Sequence, residues 1–257
     1  MTDLLADWKA VSARLRSARR LLLMLDFDGT LAPIVPHPSD ARVPAATLAT
    51  LGALRDCPGV AMAVVSGRGA RDVRGLLGLR GIDYFGSHGR ERIRPWSETV
   101  EADRRGRDAI REVCGRLLAG LSDVTGFEIE DKGVSAAAHY RNARPGDRAR
   151  IERTVLQAVA AVPSLRVSRG KMVYDITPAD GVDKGSAAAT LVRETGGLPV
   201  YFGDDTTDES AFGALGEEAV TVFVGPSGIP SLARYRVSGP PEVGEALARI
   251  LDAASPR

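Results

Sequence analysis

Apolar residues in this chain gather into short unbroken runs separated by amphipathic stretches. Residues 21–25 (Leu-Leu-Leu-Met-Leu) and 60–65 (Val-Ala-Met-Ala-Val-Val) contain no polar position. A strand with one wet face alternates, whereas a strand apolar throughout has both faces covered. These two runs are therefore expected as buried parallel strands, with 83–85, 199–202 and 219–224 as further strands of the same kind. Leu4, Leu5, Trp8, Val11 and Leu15 recur at helical spacing and predict a helix over 3–18. Further helices are expected over 44–55, from Asp183 onward and over 243–252. Strand and helix in alternation is the signature of an α/β fold.

The middle of the chain breaks this rhythm. Residues 104–120 and 147–161 read as helices. Residues 127–130 and 134–140 read as a hairpin around Asp131-Lys132-Gly133, and 165–167 with 172–176 as a second strand pair. Two helix-plus-hairpin units imply an antiparallel sheet covered on one face by helices. The organisation expected is a Rossmann-like parallel-sheet core, 1–92 plus 181–257, with an inserted α+β domain at 93–180. Within the insertion, Ser135, Ala137, His139 and Arg141 share one strand face, as do Lys171, Val173, Asp175 and Thr177.

Composition changes this picture little. The chain has 257 residues, 44% hydrophobic and 26% charged, with 34 Lys+Arg against 33 Asp+Glu. That balance gives no electrostatic case for nucleic acid or a membrane surface as a partner. The run at 21–25 is far shorter than the roughly 20 residues needed to cross a bilayer. No signal peptide is evident. Cys57 and Cys114 form no C-x-x-C pair and no disulfide framework, so a reducing cytoplasm is expected. No Cys/His cluster speaks for zinc. Trp8 and Trp96 are expected as packing anchors.

Polar residues collect at the carboxyl ends of the buried runs, where open parallel sheets place their ligands. Asp26 and Asp28 lie two apart, so in extended chain their carboxylates face the same way. Two such charges repel unless they share a proton or a cation, and a hard divalent ion such as Mg²⁺ suits oxygen ligands. A plain strand-end turn also uses Asp and Gly. Ser66-Gly67-Arg68 offers a hydroxyl, amides and a guanidinium to a phosphate, or an N-cap with a solvated Arg. Lys184 is one of four lysines in an Arg-biased chain, and it opposes the dipole at a helix start. Thr206-x-x-Glu209 reads as a capping box with Asp208 favouring the helix start. Capping leaves Asp204 and Asp205 unexplained, and adjacent acids there suit a cation.

The order D-x-D-G-T (26–30), S-G-R (66–68), Lys184 and G-D-D-x-x-D-E (203–209) resembles the haloacid dehalogenase-like phosphohydrolases. That resemblance implies Asp26 as nucleophile, Asp28 as general acid and base, and Ser66, Gly67 and Lys184 as phosphate ligands. It implies Mg²⁺ on Asp26, the Asp28 carbonyl and Asp204, with Asp205 and Asp208 in support. It also makes 93–180 a cap that reads the leaving group. Glu130-Asp131-Lys132, His139-Tyr140-Arg141, Gly170-Lys171, Asp175-Ile176-x-Pro178 and Gly86-Ser87-His88-Gly89 narrow the resemblance to the trehalose-6-phosphate phosphatases. The chain departs from that family at Asp175, where Glu is usual, and at Thr177, where a basic residue is usual. The implied substrate is a sugar phosphate, trehalose 6-phosphate in trehalose biosynthesis, met by a monomer. Arg68, His88, Lys132, His139, Arg141, Lys171 and Asp175 are the implied substrate contacts. Sucrose phosphate or a glycosyl phosphoglycerate are alternative substrates, and a catalytically silent regulatory domain is the alternative class.

Overall fold

The computed structural model describes residues 1–254. The chain divides into two compact units, Met1–Glu101 with Asp183–Arg257, and Ala102–Val182. In chain order the elements are β1 (Thr2–Asp3), α1 (Trp8–Ser17), β2 (Leu21–Leu25), α2 (Ala45–Asp56), β3 (Val60–Val65), α3 (Ala70–Leu77), β4 (Asp83–Gly86), β5 (Glu91–Ile93) and β6 (Glu101–Ala102). Then come α4 (Arg107–Leu121), β7 (Glu128–Asp131), β8 (Ala136–His139), α5 (Arg148–Ala160), β9 (Leu165–Gly170) and β10 (Val173–Pro178). The chain ends with α6 (Lys184–Thr195), β11 (Leu198–Gly203), α7 (Glu209–Leu215), β12 (Val220–Val224), β13 (Tyr235–Val237) and α8 (Pro240–Ala254).

In the first unit the described residues form a sheet ordered β1-β13-β12-β11-β2-β3-β4-β5-β6. It is parallel from β1 to β4 and antiparallel at β4–β5. The all-apolar β2 has the expected cause. Leu21, Leu23 and Leu25 enter one core with Val11, Leu15, Leu51, Leu54 and Leu247. Leu22 and Met24 enter the other with Ala187, Ala188, Leu191 and Phe212. In register, Leu25 lies opposite both Val64 and Phe202, so Asp26, Ser66 and Asp204 leave the sheet at one edge.

Several boundaries differ from the sequence reading. Residues 3–18 are not one helix: Thr2–Asp3 pairs with β13, and the helix begins only at Trp8. The Asp3 carboxylate accepts from the Leu5 and Ala6 amides, which holds a turn between them. The first unit runs past residue 92 to Glu101, because β5 folds back on β4 instead of leaving the sheet. The final helix starts at Pro240 and not at 243, since proline suits a first helical turn. Trp96 is 73% exposed and no core anchor; it stands beside Gly81, where a β-carbon would lie 2.6 Å from the indole.

The second unit is an antiparallel sheet ordered β7-β8-β10-β9 with α4 and α5 on one face. Ala136, Ala138, Tyr174 and Ile176 pack against Ile110, Val113, Leu117, Ile151 and Val155. Glu130, Ala137, Asp175 and Ser168 stand abreast on the face away from the helices. The strand alternation does not extend to Lys171. Gly170 pairs with Val173, so Lys171 and Met172 form the hairpin turn, with Met172 at φ 68°.

Candidate active site

α6 covers the sheet with a stripe of Lys184, Ala187, Ala188 and Leu191, spaced at i, i+3, i+4 and i+7. Lys184 is thus carried on the buried side of the helix, at its first turn. Asp183 caps that turn, accepting from the Ser186 amide at 2.9 Å. The Lys184 ammonium lies 3.1 Å from Asp26 Oδ2 and 2.8 Å from Asp208 Oδ1. Burial opposes the charged form of Lys184, but Asp208 and Asp26 outweigh it and hold the ammonium above its ordinary value. Burial pushes the Asp26 carboxyl well above the usual carboxylate range against the pull of Lys184, and the charges of Asp208, Asp204 and Asp28 add to the rise.

Asp208 organises this cluster. Its Oδ1 accepts from Lys184 and, at 2.8 Å, from the Tyr201 hydroxyl. Its Oδ2 accepts from the Asp204 and Asp205 amides, both at 3.1 Å. Four donors occupy the two oxygens, so Asp208 fixes the loop after β11. The expected Thr206–Glu209 box is instead Asp205 with Asp208, because the helical turn begins at Thr206. Asp205 correspondingly turns its carboxylate to the Thr206 amide at 2.6 Å, while Glu209 accepts from Leu232. Tyr201 carried no sequence signal beyond one hydroxyl in an otherwise apolar strand.

Asp26, Asp204 and Asp208 offer oxygens within 4.8 Å of one another, all three buried. One ammonium beside three carboxylates leaves a local excess of negative charge, and the donors are all oxygen. That chemistry fits a hard divalent cation. With Asp208 saturated, the carboxylates placed to hold one are Asp26 and Asp204. Gly29, at φ 77°, lets the backbone press on Asp204, where a β-carbon would fall 1.9 Å from Oδ2.

The Asp26 and Asp28 carboxylates have different ion-pair partners, Lys184 and Arg68, while the charge of Asp28 still bears on Asp26. The extended geometry ends at Leu25, and the chain turns through Gly29. Asp28 instead meets Arg68, Nε to Oδ2 at 2.6 Å and Nη2 to Oδ1 at 2.7 Å. Arg68 also reaches the Pro38 carbonyl and Asp72, and its guanidinium stands 5.3 Å from the Phe27 ring centroid. Ser66 is not at a helix start, since α3 begins at Ala70 with Gly69 as its cap. The Ser66 hydroxyl accepts from the Arg68 amide at 3.2 Å. Gly67 lies against the His88 ring, which is buried.

In the second unit, His139 Nε2 donates to Glu130 Oε2 at 3.3 Å, and Lys132 Nζ stands 3.7 Å from the same oxygen. The His139 hydrogen bond and the Lys132 charge hold the Glu130 carboxyl below its ordinary value against partial burial. Glu130 was legible only as part of a motif. Arg141 donates to the Lys171 carbonyl at 3.0 Å, joining two basic residues. The Thr177 hydroxyl accepts from Arg166 across the strand pair at 3.1 Å.

The family model described as trehalose-phosphatase matches residues 24–239. A trehalose-phosphate phosphatase of Mycobacterium marinum is 35% identical over 214 residues, covering 80% of this chain and 54% of that protein. A probable trehalose-phosphate phosphatase 2 of Oryza sativa is 30% identical, covering 92% of this chain and 69% of the relative. The chain spans about half the length of the Mycobacterium relatives it matches. The C-terminal domain of C. albicans trehalose-6-phosphate phosphatase superposes with a TM-score of 0.84 at 22% identity, covering 95% and 96% of the two chains, which shows the same fold. On the family match and these relatives, the chain belongs to the trehalose-phosphatase family.

Proposed function

We propose that this chain hydrolyses trehalose 6-phosphate to trehalose and phosphate in trehalose biosynthesis. The observation that carries the reading is Lys184, held between Asp26 and Asp208 at the carboxyl edge of a parallel sheet. An ammonium there neutralises phosphoryl oxygens while Asp26 faces the phosphorus. The Asp26 carboxylate attacks phosphorus and forms an aspartyl-phosphate, and the sugar oxygen leaves with a proton from Asp28. Asp28 then takes a proton from water, which attacks the same phosphorus and frees phosphate and Asp26. Ser66 and the Gly67 amide bind phosphoryl oxygens. A divalent cation, Mg²⁺ in our reading, would be held by Asp26, Asp204 and the Asp28 carbonyl, and when bound it supplies charge neutralisation for the transferring group.

The second unit, Ala102–Val182, is assigned the role of a specificity cap, with Lys132, His139, Arg141, Lys171 and Asp175 serving the sugar. Free, buried Cys57 and Cys114 accord with a reducing cytoplasm. No helix among the described residues is long and apolar enough to cross a membrane.

The test is phosphate release from trehalose 6-phosphate, sucrose phosphate, glucosyl phosphoglycerate and 4-nitrophenyl phosphate, with Asp26→Asn as control. Preference for trehalose 6-phosphate, lost in Asp26→Asn, supports the reading. Preference for another sugar phosphate overturns the substrate, and no release from any of them overturns the activity.

A further inference from the structure

The turn after β4 has a conformation its residues do not favour. Ser87 and His88 are consecutive non-glycine residues at φ 49° and 56°. Left-handed backbone is uncommon for L-residues; Asn, Asp and His enter it more often than others, Ser does not, and two in succession are rarer still. The Ser87 hydroxyl is also fully buried and has no hydrogen-bond partner among the described residues. A turn that merely joined two strands would avoid both costs with glycine. Such costs persist where the surroundings over-determine the conformation, and they gather at functional sites.

The surroundings here are the two halves of the phosphate site. The Ser87 amide donates to the Arg68 carbonyl at 2.7 Å, and the His88 amide to the Ser66 carbonyl at 3.0 Å. The His88 ring fills the space beside Gly67, where a β-carbon would lie 2.8 Å from Cε1 and 2.9 Å from Nε2. On its other side, Gly89 approaches α6: a β-carbon there would lie 2.8 Å from the Asp183 carbonyl oxygen and 3.3 Å from Ala187 Cβ. One three-residue segment thus touches the Ser66–Arg68 loop and the helix turn that carries Lys184. The loop needs such restraint, because Gly67 and Gly69 make it conformationally permissive.

We propose that Ser87-His88-Gly89 is a brace for the phosphoryl site, with His88 a positioning residue that holds Ser66 and Gly67 in register with Lys184. The proposal rests on the phosphatase reading above. It takes His88 out of the sugar contacts: the residue is 7% exposed and its ring is packed on Gly67. Misplacing a reacting or binding group by about 1 Å can slow a reaction by roughly a hundredfold.

The experiment compares wild type with His88→Gly, His88→Asn and His88→Ala. It uses trehalose 6-phosphate, 4-nitrophenyl phosphate, and inorganic phosphate as a product inhibitor. A brace acts on the phosphoryl group whatever the alcohol. All three variants should therefore lose roughly tenfold or more in kcat/KM, by the same factor on both substrates, and should bind inorganic phosphate more weakly. His88→Gly should melt above His88→Ala, because both lose the ring and only glycine takes φ 56° freely. Should His88→Gly fail to fold, His88→Asn carries the comparison, since Asn tolerates left-handed backbone. Loss confined to trehalose 6-phosphate makes His88 a sugar contact and overturns the brace. Unchanged kinetics in an active background overturns it too. A wild type that neither releases nor binds phosphate overturns the phosphatase reading and the brace together.

Discussion

Arg68 grips both carboxylate oxygens of Asp28, at 2.6 and 2.7 Å, from a loop 40 residues further along the chain. A bidentate guanidinium fixes the plane of the carboxylate and the direction in which its oxygens point. Arg68 is itself held by Asp72 and the Pro38 carbonyl, so it has little freedom to let Asp28 swing. In the proposed mechanism Asp28 must meet the leaving oxygen and then water, and Arg68 sets its direction. Arg68→Lys keeps the charge but loses the fork. It should lower kcat by roughly ten- to hundredfold, the worth of one charged hydrogen bond of about 1.5–3 kcal/mol. The unfolding midpoint should fall only modestly, because Lys keeps the charge and the aliphatic stem while losing the fork to Asp28 and the bonds to Asp72 and the Pro38 carbonyl. Steady-state kinetics with a melting curve checks this; a kcat equal to wild type would remove Arg68 from the mechanism.

Asp26, Asp204 and Asp208 crowd three carboxylates around one ammonium. Without a cation this arrangement repels itself. Asp204→Asn removes one charge and should raise the melting temperature of metal-free protein, by roughly 2–4 °C for each kcal/mol of repulsion relieved. Mg²⁺ should stabilise wild type by about 2.7 kcal/mol at roughly a hundredfold excess over Kd. Asp204→Asn should lose most of that response. Scanning calorimetry in EDTA and in Mg²⁺ measures both arms. Equal Mg²⁺ shifts in the two proteins would place the cation elsewhere.

Much of this arrangement was legible in the sequence, and its failures have specific causes. The unbroken apolar β2 and β3 identified themselves because no other element is apolar at every position. Lys184 stood out by opposing a helix dipole, and the structure answers with two carboxylates. What could not be read was side-chain direction after a strand ends. Asp26 takes Lys184 and Asp28 takes Arg68 as partners, which period-two reasoning past the strand end does not predict. Lys171 fell off its strand face for the same reason, displaced by a left-handed Met172. Tyr201 and Glu130 owe their roles to Asp208 and His139, seven and nine residues along the chain, and hydrophobic patterning does not pair such positions.

In the second unit, burial pushes the Cys114 thiol up to about 11, with the charge of Asp131 adding to the effect. An unfolded thiol ionises near 9. The folded state therefore binds this proton more tightly, and the stability it contributes is complete below about pH 9. It is lost as pH rises from about 9 through 11, on the order of 2 kcal/mol in all. Cys114→Ala should be less stable at pH 8, from the small cavity, yet should show a shallower fall between pH 8 and 10.5. Urea unfolding at the two pH values gives the comparison. Parallel falls in the two proteins would show that the thiol stays protonated in both states or ionises equally.

Asp175 offers the sharpest test of the second unit. It stands between Ala137 and Ser168 on the sheet face away from α4 and α5, since its neighbours Tyr174 and Ile176 fill the helix-side core. Glu130 shares that face, paired with His139 and Lys132. Carboxylates arrayed on one face suit a ligand rich in hydroxyl donors. A site built to hydrogen-bond hydroxyls discriminates strongly, because a ligand without them leaves its polar groups unpaired. Asp175→Ala should lower kcat/KM for trehalose 6-phosphate by roughly ten- to hundredfold, the worth of one charged hydrogen bond. The same change should leave 4-nitrophenyl phosphate nearly untouched, since an aryl group has no hydroxyl to offer. Asp175→Glu lengthens the acid by one methylene and should retain more activity than Asp175→Ala, because it keeps the charge. The ratio of the two substrates decides the matter. If Asp175→Ala lowers both equally, the residue supports the fold and not the sugar; if it lowers neither, sugar recognition lies with other residues.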